Sequence, residues 1–166
     1  MTKVYGVAIR KGGQAKSTTI STVARLCAMQ GARVLVVDLA QPGSTTTSFR
    51  DLWPEADHVD LSQCILAFRS LGPGAVPAAG ACEEALASCA LPVRLETRPS
   101  WGTGCIDVLP HDELLSEAAA FLRTDLVLRG LLSALQVSYD LILIDYPADG
   151  VSLPANALAA TESVLM

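Results

Sequence analysis

A glycine-rich loop near the N-terminus joins an apolar run to an amphipathic segment. The run Val4 to Ile9 (VYGVAI) has the composition of a buried strand, and the loop KGGQAKSTT, residues 11–19, follows it closely. Ser17 to Gln30 then carries apolar residues at helical spacing, and Gly31 provides a C-terminal stop. The chain therefore begins with strand, loop and helix, the unit from which parallel α/β sheets are built.

The same alternation continues along the chain. Further strands are predicted over Ala32 to Asp38, Ile106 to Leu109, Tyr139 to Asp145 and from Ser163 to Met166. Helices are predicted from the QPGSTTT loop to Leu52, and over Leu61 to Ser70, Ala81 to Cys89, Asp112 to Arg123, Thr124 to Val137 and Leu153 to Ala160. Because the strands are apolar without polar alternation, both faces of the sheet should be covered. We predict one α/β domain over residues 1–166, a doubly wound, mainly parallel sheet with helices on both faces, in which 57–101 is a variable connection.

Composition narrows the classes of function. With 166 residues, 51% of them apolar and 17% charged, the chain can bury a substantial core and is unlike a disordered protein. Its aliphatic runs fall far short of the roughly 20 residues that span a bilayer, and its N-terminus lacks the pattern of a secretory signal. We therefore expect a cytoplasmic protein with no membrane partner. The formal net charge of −5 comes with no basic patch that would bind nucleic acid.

The cysteine pattern argues against a disulfide framework and against a zinc site. The five cysteines are odd in number and form no C-x-x-C pair, so free thiols are predicted. His58 and His111 lack partners at ligand spacing and are interpreted as surface or capping residues. No cysteine or histidine is therefore assigned to a metal.

The loop after the first strand has the chemistry of a phosphate site. Phosphates are held by backbone N–H groups at a helix N-terminus, by a lysine ammonium and by a hydroxyl that contacts magnesium. The generic pattern G-x-x-x-x-G-K-[ST] is nevertheless broken, because Arg10 and Ala15 occupy its two glycine positions. A dinucleotide fingerprint G-x-G-x-x-G is also missing from the sequence. A plain strand-to-helix turn with solvated lysines is the competing interpretation.

Three motifs in order resemble those of one family. KGGQAKST, from Lys11, resembles the deviant Walker A motif K-G-G-x-G-K-[ST] of the ParA/MinD family of P-loop ATPases. VLVVDLAQPGSTT, from Val34, resembles that family's strand and switch, and YDLILIDYPA, from Tyr139, resembles its Walker B strand. NALAATESVLM, from Asn156, resembles the helix and strand that come next. The resemblance implies a P-loop NTPase fold that, in this chain, lacks the family's C-terminal strands and helices.

The resemblance also implies which residues bind ATP or ADP. They are Lys11, Gly12, Gly13, Gln14, Ala15, Lys16, Ser17 and Thr18. Lys11 corresponds to the signature lysine that reaches the partner's nucleotide across a dimer interface, and Lys16 to the lysine that neutralises the β- and γ-phosphates. The two glycines would let the backbone approach the phosphates, and Thr18 would lie beside the α-phosphate.

For magnesium, the resemblance implies Ser17, Asp38 and Asp145. Ser17 corresponds to the direct ligand, Asp38 would face the ion and its water shell, and Asp145 is the Walker B acid that holds the ion through water. Lys11, Lys16 and Asp38 are the residues implied in catalysis.

Two departures from the family pattern bear on activity. If the residue before Lys16 is left-handed, Ala15 adds a Cβ that costs roughly 1–2 kcal/mol. Ala40 stands where the family carries the second aspartate of its switch, beside the attacking water, and a methyl group cannot orient or deprotonate water. Gln41 and Pro42 also invert the family's order and move the fixed φ of proline by one position. Slow or absent hydrolysis is therefore expected.

The function implied by the resemblance is that of a ParA-like ATPase that binds ATP and magnesium and dimerises around two nucleotides. Such dimers position plasmids, chromosomes or other cargo, with a ParB-like or other partner that stimulates hydrolysis. The family's DNA binding rests largely on basic residues in its C-terminal portion, so this sequence does not support autonomous DNA binding. The alternative is a non-catalytic module that senses nucleotide or lends its surface to a partner.

Overall fold

The computed structural model describes residues 2–8, 15–54, 62, 93–95, 99–113, 127–135, 138–147 and 152–165. The strands are β1 (Lys3–Val7), β2 (Arg33–Asp38), β3 (Val93–Arg94), β4 (Cys105–Leu109), β5 (Leu141–Asp145) and β6 (Ser163–Leu165). The helices are α1 (Lys16–Met29), α2 (Ser44–Thr47), α3 (Val127–Leu135) and α4 (Ser152–Ala160), with 3-10 turns at Arg50–Leu52 and Pro99–Trp101. The helices predicted over 61–70, 81–89 and 112–123 fall almost entirely outside these ranges and stay predictions.

The sheet has six strands in the order β3-β4-β2-β5-β1-β6. β1 pairs in parallel with β5 and β6, and β2 pairs in parallel with β4 and β5. The predicted P-loop NTPase type of α/β fold is confirmed, with one addition. β3 is a two-residue edge strand that pairs antiparallel to β4, and it was missed because two residues carry no periodicity.

Both faces of the sheet are covered, as the apolar strands predict. On one face, Ile20, Ala24 and Ala28 of α1 pack with alternate residues of the central strands. On the other face, Leu128, Leu131 and Leu132 of α3 and Ala157 of α4 pack against the residues of opposite parity. Each central strand therefore contributes to both cores, which explains why it shows no polar alternation.

The edge strand β3 is fixed by a buried carboxylate. Asp107 of β4 is only 4% exposed and forms an ion pair with Arg94, its register partner in β3. The hydroxyl of Tyr139 donates a second hydrogen bond to Asp107 Oδ2 at 2.7 Å. Burial, reinforced by the adjacent carboxylate, raises the pKa of the Tyr139 phenol well above its usual value. This polar cluster ties β3, β4 and the start of β5 together.

Two further features bear on the predictions from sequence. Within the described residues, no helix combines the length and the apolar character needed to cross a bilayer. Cys27 and Cys105, which lie in those same ranges, are free thiols, as predicted.

Candidate functional site

The candidate site lies where β1, β2 and β5 end and α1 begins. Parallel pairing places Asp38, the last residue of β2, beside Asp145, the last residue of β5. Both aspartates are fully buried. The carboxyl edge of a parallel sheet is where ligands bind in open α/β folds, and here it carries both predicted acids.

The phosphate-loop lysine and hydroxyl both contact Asp145. Lys16 Nζ lies 3.3 Å from Asp145 Oδ1 and also donates a hydrogen bond to the carbonyl oxygen of Tyr146. Ser17 Oγ donates to Asp145 Oδ2 at 3.0 Å. These contacts bring together three residues that the sequence assigned to the nucleotide and the metal. Because Lys16 and Ser17 open α1, the same residues lie at the N-terminus of a 14-residue helix, where backbone N–H groups favour anions.

The residue before Lys16 adopts the strained conformation considered above. Ala15 has φ 54° and ψ 16°, in the left-handed region, and it is the N-cap of α1. Its carbonyl oxygen accepts a hydrogen bond from the Thr19 N–H at 2.7 Å, which keeps it attached to the helix. The conformation that favours glycine is therefore occupied by alanine, at a cost of roughly 1–2 kcal/mol.

The carboxylate of Asp38 accepts hydrogen bonds from the segment that follows it in sequence. Its Oδ1 accepts the Ala40 N–H at 3.1 Å, and its Oδ2 accepts the N–H and the hydroxyl of Thr46 at 2.7 and 2.8 Å. Burial raises the pKa of Asp38 above its usual range; the donors from Thr46 and Ala40 oppose that shift, and the nearby charge of Asp145 adds to it. The carboxylate therefore holds α2 against the end of β2.

Asp145 has a different environment. Its Oδ2 accepts, besides Ser17, the hydroxyl of Thr45 at 2.5 Å, and Thr45 is fully buried in α2. Its Oδ1 has the ion-pair contact with Lys16 but no hydrogen bond within the described part of the chain. One oxygen of this buried carboxylate thus keeps capacity for a further ligand.

For the other predicted site residues, the structure gives burial only or no description. Thr18 is exposed on the first turn of α1, and the methyl group of Ala40 is buried. Lys11, Gly12, Gly13 and Gln14 lie outside the described residues, so their roles stay predictions.

Sequence reasoning missed four residues that shape this site. They are Thr45, Thr46, Tyr146 and Gly6. The first two belong to the QPGSTTT loop, from which the sequence predicts only the start of a short helix. A Cβ on Gly6 would lie 2.7 Å from the ring of Tyr146, so that ring packs directly on β1. The phenol of Tyr146 is hydrogen-bonded to Thr161 Oγ1 at 2.7 Å. Only the threonine cluster offered a signal in the sequence.

The donor set fits a hard cation that retains water. Magnesium prefers oxygen ligands and is commonly held by one or two carboxylates together with substrate phosphates. Asp145 Oδ1 and the hydroxyl of Ser17 are such donors. No group of three His, Cys, Asp or Glu side chains that could enclose an ion occurs in the described ranges, so the protein contribution here is an open, partial shell.

Comparisons with known proteins agree with this fold. Residues 2–166 match the family model described as "AAA domain". Cobyrinic acid a,c-diamide synthase from Mycobacterium smegmatis, solved with a bound ATP analog and magnesium, is 29% identical with a TM-score of 0.70, covering 99% of this chain and 59% of that one. A ParA family ATPase from Chlorobium tepidum TLS shares the fold at 18% identity and a TM-score of 0.62, covering 99% and 59%.

A curated protein of Pseudomonas putida, described as uncharacterized, is 27% identical over 170 residues, covering all of this chain and 56% of the relative. The chain thus spans less than two thirds of the length of the proteins it matches. The family match extends over nearly every residue, and the three motifs occur in their expected order along the sequence. The chain belongs to the AAA-domain family of ParA/MinD-type P-loop ATPases.

Proposed function

We propose that this protein binds ATP and ADP with magnesium and acts as a ParA-like positioning ATPase whose dimerisation depends on nucleotide. The observation that carries the proposal is the convergence of Lys16 and Ser17 on Asp145. A lysine and a hydroxyl at the start of a helix, beside an acid at the end of a strand, are the groups that a magnesium-bound triphosphate needs. The relative solved with an ATP analog and magnesium supports the same ligand class.

Each residue has a defined task in this proposal. Lys16 neutralises the β- and γ-phosphates, and for that its ammonium leaves Asp145 and the carbonyl of Tyr146. Ser17 and Asp145 hold magnesium, which when bound supplies charge neutralisation at the terminal phosphates. Asp38 acts on the magnesium through its negative charge and not as a direct ligand, because both its oxygens already accept hydrogen bonds from residues 40 and 46.

Dimerisation and partners follow from the family resemblance. Lys11 contacts the nucleotide of the partner subunit, so the dimer forms around two nucleotides, and a ParB-like partner stimulates turnover. The net charge of −5 gives no support to autonomous DNA binding. Sedimentation with a non-hydrolysable ATP analogue tests the dimer, and Lys11→Ala should leave the protein monomeric while nucleotide still binds.

Hydrolysis is proposed to be slow because no carboxylate stands at position 40. The methyl of Ala40 is buried, and the neighbouring carboxylate of Asp38 is engaged by Ala40 N–H and Thr46. Phosphate release should therefore rise in Ala40→Asp. The idea of impaired turnover is wrong if the natural chain already hydrolyses ATP at a rate that this aspartate does not increase.

Calorimetric titration tests the binding step itself. Lys16→Ala should lose ATP affinity by at least about tenfold, whereas Lys3→Ala removes the same charge from the opposite end of β1 and should bind as the natural chain does. Micromolar binding that requires magnesium supports the proposal. No binding at millimolar nucleotide contradicts it.

A second candidate is a non-catalytic interaction module. It is favoured by the strained Ala15 and by the engagement of Lys16 with Asp145, since both oppose nucleotide binding. The titration distinguishes the two candidates. For a module that only lends its surface to a partner, Lys16→Ala does not change the titration with ATP.

A further inference from the structure

The short helix α2 is attached to both strand-end acids by two consecutive side chains. Thr45 Oγ1 donates to Asp145 Oδ2 at 2.5 Å, and Thr46 donates to Asp38 Oδ2 through its N–H and its hydroxyl. Thr46 Oγ1 also accepts the N–H of His111 at 3.0 Å. A helix of four residues has little stability of its own, so these bonds determine where it lies.

Three side chains share the Asp145 carboxylate. Lys16 contacts Oδ1, while Ser17 and Thr45 both donate to Oδ2. Under the proposed function, Lys16 turns to the phosphates and the oxygen of Ser17 turns to magnesium. A fully buried carboxylate that loses partners must keep another donor, because an unpaired buried charge is costly. Thr45 is the donor that nothing in the nucleotide site displaces.

We propose that Thr45 is a positioning residue for Asp145, which it holds in place for magnesium and thereby ties α2 to the occupancy of the phosphate loop. This rests on the proposed function. Its effect on ATP affinity should be specific to the magnesium-bound state. With nucleotide alone, Ser17 still donates to Asp145, whereas with magnesium the hydroxyl of Thr45 carries the support.

The decisive variant is Thr45→Val, which keeps the branched shape and removes the hydroxyl. Calorimetry with ATP in magnesium should show affinity about tenfold weaker than in the natural chain, the ratio that a hydrogen bond to a charged group commonly carries. In EDTA the two proteins should bind ATP equally. Thr45→Ser, which retains the donor, should bind ATP in magnesium as tightly as the natural chain does. The matched control is Thr47→Val, an exposed position on the same helix, which should behave as the natural chain.

A second measurement is independent of nucleotide. In the free protein, the N–H of Thr47 donates to the carbonyl of Gly43 at 2.9 Å and the N–H of Ser48 to the carbonyl of Ser44 at 3.0 Å. The hydrogen exchange of these two groups reports how firmly α2 is held. Thr45→Val should speed that exchange by about tenfold, and Thr45→Ser should not. If the natural chain binds no ATP, the proposed function fails. The hydrogen-exchange measurement then tests by itself whether Thr45 holds α2 to Asp145.

Two results would overturn the role of Thr45. The first is a Thr45→Val protein that exchanges and binds magnesium-ATP like the natural chain. The second is an equal loss of affinity in EDTA and in magnesium, which would mark Thr45 as a general support of the fold. Circular dichroism on every variant establishes that it is folded.

Discussion

Asp38 and Asp145 are register partners at the ends of two neighbouring parallel strands, yet their carboxylates are used differently. The oxygens of Asp38 accept three hydrogen bonds from the segment that follows it. Asp145 instead receives the phosphate-loop residues Lys16 and Ser17, and its Oδ1 makes no hydrogen bond within the described ranges. Two acids that look equivalent in the sequence therefore separate into one that binds the segment after β2 and one that contacts the first residues of α1.

This difference predicts unequal effects of two conservative changes. Asp145→Asn removes the charge nearest the metal position and should abolish the magnesium dependence of ATP binding in calorimetry. Asp38→Asn should keep most of that dependence and instead cost about 1 kcal/mol of stability, because an amide accepts fewer hydrogen bonds from α2. Equal loss of the magnesium effect in both variants would show that Asp38 faces the ion directly.

The left-handed Ala15 predicts a stabilising substitution. Ala15→Gly removes the Cβ that costs roughly 1–2 kcal/mol at φ 54°. The greater conformational freedom of glycine in the unfolded chain reduces this gain in stability by about 0.5–1 kcal/mol. Urea unfolding should show a gain of up to about 1.5 kcal/mol in the free energy of unfolding. Ala155→Gly, at an exposed position inside α4, is the control and should lose about 1 kcal/mol of stability. A loss at both positions would contradict the strain at Ala15.

The contact between Gly6 and Tyr146 predicts a coupled pair of substitutions. Gly6→Ala places a methyl group 2.7 Å from the ring and should destabilise the protein by about 1–3 kcal/mol. Combining it with Tyr146→Leu removes the ring and should recover part of that loss, whereas Tyr146→Phe keeps the ring and should not. A double-mutant cycle on unfolding free energies measures the coupling. Simple additivity in the leucine cycle would rule out the contact.

The hydrogen bond between Tyr139 and Asp107 predicts a pH dependence at high pH. At pH 7, Tyr139→Phe should cost about 1–2 kcal/mol, because buried Asp107 loses a donor. The pKa of Tyr139 is raised in the folded state from its usual 10.0, so above pH 10 the unfolded chain releases this proton while the folded chain keeps it. The natural chain then loses stability as pH rises, and the phenylalanine variant does not lose this contribution. The difference between them should narrow above pH 10, and urea unfolding from pH 8 to 11 would reveal a constant or widening gap if the assignment is wrong.

The alternation of strands and helices, the phosphate-loop composition and the two acids at strand ends could all be predicted from the sequence. These features are local, because apolar runs, glycines and capping residues act on their neighbours along the chain. For that reason the predicted strands over 32–38, 106–109 and 139–145 lie within a residue or two of the observed ones. The short helix predicted up to Leu52 was the local feature that changed most, since it divides into α2 and a 3-10 turn.

The contacts of each acid depend on how the distant parts of the chain pack together. Whether Asp145 accepts a hydrogen bond from Thr45 or from Thr46 depends on strand order and on the angle at which α2 packs on the sheet. Neither can be predicted from a local sequence pattern. The same holds for Arg94, whose two-residue strand exists because it pairs with Asp107 across the sheet edge. Chemistry that belongs to single residues can be read from their neighbours in sequence, but contacts between distant residues are fixed only when the sheet brings those residues together.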